Sequence, residues 1–160
     1  MKKILSLAAV ALILVGCAST ETITPERQAI DRVFAADVNF ARNSSSVRQL
    51  VLNQKTLSLA GVPTEFANAY KANIAAWEKM EAIEKKMYVV DQAKAARDIN
   101  VFLNGYAVNS LRAFAAFRAE WPQFSEELDK AFQEIERTRV AFKAIGATHF
   151  AVYPTPSSWF

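Results

Sequence analysis

From Thr64 to Trp121 the chain runs for 58 residues without a proline and with one glycine, Gly105. Alanine is by far the commonest residue in the stretch, glutamate and lysine are frequent, and residues of this kind favour helix. As one helix it would extend roughly 87 Å at 1.5 Å per residue, far beyond the size of a domain of this length. It must therefore fold back on itself. The softest point is Met87 to Asp91, where β-branched Val89 and Val90 precede an aspartate able to cap a new helix. The spacing predicts one helix over about 64–87 and another over about 91–120.

The rest of the chain reads the same way. After residue 16 only Gly61, Gly105, Gly146 and five prolines punctuate it. Thr24-Pro25-Glu26 is a helix start, with a hydroxyl cap, a proline in the first turn and an acid beside it. Ile30, Val33, Phe34, Phe40 and Ala41 then share one face. Asn43 to Ser46 forms a break, Ser46 caps a second helix through Val47, Leu50, Val51 and Leu57, and Gly61-Val62-Pro63 ends it. Phe66, Tyr70, Ile74, Trp77, Met80, Ile83 and Met87 line the third helix. Ile99, Phe102, Leu103, Tyr106, Phe114 and Phe117 line the fourth. Pro122 forces a turn, Ser125 is placed to cap, and Leu128, Phe132, Ile135, Phe142 and Ile145 carry a last helix to Gly146.

These pieces predict an all-α fold, an antiparallel bundle of four to five helices over residues 24–146. A weaker second stripe of Val101, Val108, Leu111 and Ala115 makes the helix over 91–120 apolar on two sides. Such a helix is either central or half-exposed to a partner, and the central place is expected. An extended, aromatic C-terminal tail follows over 147–160, with His149, Phe150, Tyr153, Trp159 and Phe160 interrupted by Pro154 and Pro156. It is expected to pack back along a bundle groove, with docking to another protein as the alternative.

The N-terminus carries a different signal. Met1-Lys2-Lys3 is a short basic stretch, and Ile4 to Val15 is apolar at every position except Ser6. A membrane-spanning helix needs roughly 20 such residues, so this run fits the core of a secretory signal peptide. It ends Leu14-Val15-Gly16-Cys17, followed by polar residues. That box resembles the lipobox of bacterial lipoproteins, in which an aliphatic residue, a tolerant position and a small residue precede a cysteine. The resemblance covers residues 1–20. It implies cleavage after Gly16, removal of the signal peptide 1–16, and lipid on Cys17, with 17–23 as the tether. It also implies an anchor on the bacterial cell envelope. Ala18 follows the cysteine where inner-membrane lipoproteins carry Asp, which by the same resemblance points to the outer membrane, facing the periplasm. Two or more acyl chains hold a protein stably, whereas one does not.

Without residues 1–16 the formal charge falls from +3 to +1, because Lys2 and Lys3 leave and no acid does. No cluster of basic residues interleaved with aromatics remains, so no nucleic-acid partner is expected. Cys17 is the only cysteine, so the domain has no internal disulfide and rests on packing.

Little in the sequence suggests chemistry. His149 is the only histidine, which excludes paired Glu-x-x-His di-iron sites and zinc sites built on several His or Cys. No phosphate-binding glycine loop or nucleophile elbow is present. No cofactor, metal or catalytic residue is expected, and an enzyme is not. One constellation does arise from helical phase: Asp37, Glu84 and Arg139, with Ser110, fall within the apolar stripes of their helices. They form either a candidate internal polar site for a ligand or cation, or ion pairs and stripe edges that reach water. Arg139 is expected to take Asp37 or Glu84 as its acidic partner.

The expected function is that of a lipid-anchored, periplasm-facing helical interaction or accessory module of the envelope. It would be held to the membrane by its lipid and engage an envelope protein. The alternative is a carrier or sensor with a small apolar ligand inside the bundle, in a cavity lined by Trp77, Phe102, Tyr106 and Phe132.

Overall fold

The computed structural model describes residues 23–154. The signal peptide, the lipobox with Gly16 and Cys17, and Pro156, Trp159 and Phe160 of the tail lie outside the described residues.

Those residues form six α-helices: α1 (Pro25–Asn43), α2 (Val47–Thr56), α3 (Thr64–Val90), α4 (Gln92–Tyr106), α5 (Ser110–Glu120) and α6 (Ser125–Thr148). A single 3-10 turn over Pro122–Phe124 leads into α6. The fold is all-α. Side-chain oxygens set several of the starts: Thr24 accepts from the Arg27 N–H, Ser46 from Gln49, Asp91 from Lys94 and Asn109 from Arg112. Each satisfies a donor that the first turn would otherwise leave unpaired.

The count exceeds the expected four to five because residues 91–120 are two helices, not one. Gly105 weakens the end of α4, and Asn109 caps α5. Three further boundaries differ. The third helix runs on to Val90, since exposed Val89 and Val90 cost it little. The last reaches Thr148, so the first residues of the tail are helical. Ser125 is not a cap, because the 3-10 turn joins α6 directly and makes Phe124 the preceding residue, without a side-chain hydrogen bond.

The long helices α3 and α6 form an antiparallel central pair. Phe66 and Tyr70 of α3 meet Phe142 of α6, while Lys86 further along α3 meets Glu127 near the start of α6. Between them, buried Asn73 donates to the Ile135 carbonyl (3.1 Å) and to the Thr138 hydroxyl (2.9 Å). α1 lies on one end of this pair through Phe34, whose ring packs on Phe66 and Phe142. Gly146 permits that approach: a Cβ there would come within 2.3 Å of the Phe34 ring. α2 lies along α3, and α4 and α5 form an antiparallel hairpin whose Phe102 and Phe117 rings stack at 4.7 Å. The predicted core positions of the first five predicted faces are buried or packed on the core, from Ile30 and Phe34 through Phe142.

α6 ends in a tight reversal. The Ala151 N–H bonds the Gly146 carbonyl and the Phe150 N–H the Ala147 carbonyl, with Phe150 at φ 60°. This is the Schellman arrangement, with phenylalanine where glycine usually sits, at a strain of about 1–2 kcal/mol. The chain after it turns back onto α1, so in residues 151–154 the tail packs on the bundle as expected.

Candidate functional site

The inward charges do not bond to one another. Glu84 of α3 is buried, and its two carboxylate oxygens accept the N–H groups of Val47 (3.0 Å) and Arg48 (2.9 Å). It thus serves as a long-range cap on α2, where a negative charge also suits the helix dipole. Burial pushes its pKa up, and the Arg48 and Val47 N–H groups oppose that rise. Asp37 of α1 is buried elsewhere. Its Oδ1 accepts from the Gln54 amide (3.0 Å) and the Tyr70 hydroxyl (3.1 Å), and its Oδ2 from the Tyr153 hydroxyl (2.7 Å). Burial again raises the pKa, against the pull of those three hydrogen bonds and of the Arg139 charge, which acts at a distance without a bond.

Arg139 pairs with neither acid. Its guanidinium bonds Glu136 (2.5 Å), one turn back on α6, and the Ser110 hydroxyl (3.0 Å), and lies 5.1 Å from the Tyr106 ring centre. Its side chain is 20% exposed, at the edge of the stripe. The expected pairing is corrected for a simple reason. Helical phase fixes the side of a helix on which a residue lies but not its height, and an acid at i−3 is nearer than any on another helix. Ser110 is brought to Arg139; Asp37 and Glu84 are not bonded to it.

His149 stands between two carboxylates, with Nδ1 3.6 Å from Glu26 and Nε2 3.6 Å from Glu65. Both acids face solvent, so the arrangement ties the end of α6 to the starts of α1 and α3 at the surface. Among the described residues no group of three or more His, Cys, Asp or Glu side chains is placed to hold a metal ion.

The four rings expected to line an internal cavity fill space instead. Trp77 packs edge-on against Tyr106 at 5.0 Å, Phe102 contacts both, and Phe132 stacks on Phe114 at 3.9 Å. A concavity opens on the other side of Phe102. Between α4 and α5 lies a groove of about 710 Å³, open to solvent on one side. Val101, Phe102, Gly105, Val108, Ala113 and Phe117 contribute its apolar surface, and Arg97, Asp98, Arg112 and Glu120 stand around it. The second apolar stripe of this region is therefore exposed rather than central: Val101 is 66% exposed, Val108 63% and Leu111 70%. The break at 107–109 explains this. A continuous helix could sit inside the bundle with both faces covered, whereas a hairpin buries one face of each arm and presents the other.

The rim acids are already engaged. Asp98 bonds Lys94 (2.6 Å), Arg97 (3.2 Å) and the Trp121 indole N–H (3.1 Å), and Glu120 pairs with Lys94 (3.1 Å). Among the described residues, helices and groove together define a helical protein with a ring-filled aromatic core and exposed apolar residues on the α4–α5 hairpin. No described helix is long and apolar enough to cross a membrane. Comparison with family models, with characterised proteins and with solved structures finds no match to this chain.

Proposed function

We infer that this chain is a lipid-anchored, non-enzymatic interaction or accessory module of the bacterial envelope, facing the periplasm and held by lipid on Cys17. The α4–α5 face is the surface through which it engages an envelope protein. One observation carries the contact face: Val101 and Val108 line an apolar groove and stand in solvent instead of in the core. Clustered exposed apolar residues around a concavity mark interaction sites far more often than scattered ones do. The anchor is supported by the order of basic stretch, apolar run and Leu14-Val15-Gly16-Cys17 in the sequence.

Two measurements test this. Cys17→Ala is expected to leave the protein unprocessed or soluble in membrane fractionation; a variant still cleaved and fully anchored contradicts the anchor. A photo-crosslinking residue at Val108 is expected to give one discrete adduct in cells, while one at exposed Val140 on α6 gives none. Equal patterns from both positions contradict the contact face.

A second reading has its own support. A groove of about 710 Å³ with an apolar floor and a few charges lies within the size range of small-ligand sites, roughly 300–1,000 Å³. A carrier or sensor for a small apolar ligand would use this groove rather than the bundle interior. Saturable binding of an apolar fluorescent probe, abolished by Phe102→Glu in a variant that remains helical, favours that reading.

A further inference from the structure

The cleft between α1 and α6 is shaped around one side chain. Tyr153 enters it with its ring edge-on to Phe34 at 5.1 Å and beside Phe142 at 6.1 Å, and Lys143 Nζ lies 4.2 Å from the ring centre. Its hydroxyl donates to Asp37 Oδ2 at 2.7 Å. The two carboxylate oxygens are used differently. Oδ1 is tied to the bundle by Gln54 and Tyr70, while Oδ2 takes its hydrogen bond from the tail. The bundle thus presents a buried acceptor, aromatic walls and a cation to a phenol that arrives from outside the helices. The neighbouring backbone is also received: the Val152 N–H lies 3.4 Å from Asp31 Oδ1.

The attachment of the tail is strained at one point. It reaches the cleft through Phe150, which is 70% exposed and held at φ 60°, a conformation costly for any residue but glycine. Releasing the tail relaxes that strain and exposes the Asp37 acceptor. We propose that the α1–α6 cleft is a docking site for an extended peptide segment carrying a tyrosine, occupied here in cis by Tyr153. A partner's segment of that chemistry enters by displacing the tail. The phenol is the recognised group: phenylalanine would fill the ring space but leave Oδ2 without its donor, and a buried carboxylate oxygen that loses its one hydrogen bond is penalised even though Gln54 and Tyr70 still hold Oδ1. This inference is independent of the envelope reading and of the α4–α5 groove.

The test uses the full chain with Tyr153→Ala, and in parallel with Tyr153→Phe, both checked for helical folding by circular dichroism. A fluorescently labelled, end-blocked peptide of residues 149–154 is titrated against each and followed by anisotropy. The Tyr153→Ala chain is expected to bind it saturably. The unaltered chain should bind at least about tenfold more weakly, since its own tail competes at an effective concentration in about the millimolar range. Replacing the peptide's tyrosine by phenylalanine should also weaken binding about tenfold, the loss expected for a hydrogen bond to a charged group. The Tyr153→Phe chain, whose tail lacks the phenol, should fall between the other two. Absence of saturable binding by both folded variants overturns the proposal. So does equal binding by the unaltered chain, which would put the peptide elsewhere.

Discussion

Gly146 and Gly105 each mark a close approach between neighbouring helices, yet what surrounds them differs. At Gly146 an added Cβ would meet Phe34 Cζ at 2.3 Å and Cε2 at 2.8 Å, with Ile30 Cγ2 at 3.3 Å, and both residues are fully buried. At Gly105 it would meet only Ala113, with its Cβ at 3.0 Å, beside an open groove. Around Gly146 the bundle has closed over its side chains, and the Phe34 ring leaves no space for a methyl group. The α4–α5 hairpin buries one face and leaves the second uncovered.

The largest expected effect follows directly. Gly146→Ala should lower the unfolding free energy by about 2–3 kcal/mol, measured by urea denaturation, because an overpacked core must distort. Gly105→Ala should change it by no more than about 1 kcal/mol, as the gain in helix propensity offsets the tighter Ala113 contact. Equal losses at both positions would remove the contrast.

Much of the helical fold was legible in the sequence, but this division was not. The caps at Thr24, Ser46 and Asp91 and the buried faces of α1, α3 and α6 follow from local rules, in which a side chain meets backbone three residues on or a face repeats every turn. The break at 107–109 carries no proline. Its signals, Gly105 and an asparagine cap at Asn109, lie inside an otherwise helical run and were outweighed by the apolar periodicity around them. The pairing of Asp37 with Tyr153 spans 116 residues, and that of Glu84 with the start of α2 spans 36 and 37. No local periodicity encodes such distances. The Arg139–Glu136 pair, by contrast, was readable from its i,i+3 spacing.

That pair gives the next prediction. Arg139→Met should cost about 1–2 kcal/mol, more than an exposed ion pair, because the side chain is only partly exposed and also bonds Ser110. A double-mutant cycle should show coupling of about 0.5–1 kcal/mol with Glu136→Gln and close to none with Glu84→Gln. Strong coupling to Glu84 would restore the converging site that the geometry argues against.

The closed region should also reveal itself in its pH dependence. Burial lifts the folded-state pKa of Asp37 above the ordinary carboxylate value, so the folded state holds this proton more tightly than the unfolded state does. Below the unfolded value both states are protonated and this contribution to stability is fully present. As pH rises through the folded value it is lost. Asp37→Asn carries no such slope. The stability of the wild type relative to that variant should therefore be higher at pH 4 than at pH 7, by urea midpoints at the two values. A gap that grows toward neutral pH would mean that the hydrogen bonds from Tyr153, Gln54 and Tyr70 outweigh burial.

The smallest expected change in stability tests the central claim most directly. If the stripe on the α4–α5 hairpin is an uncovered contact face, then replacing Val101, Val108 and Leu111 together by glutamine removes contacts with a partner and almost none within the fold. The unfolding free energy of Val101→Gln/Val108→Gln/Leu111→Gln should stay within about 1 kcal/mol of wild type, as for surface substitutions. A loss of several kcal/mol, on the scale of core truncations, would show that the stripe belongs to the core and would contradict the account.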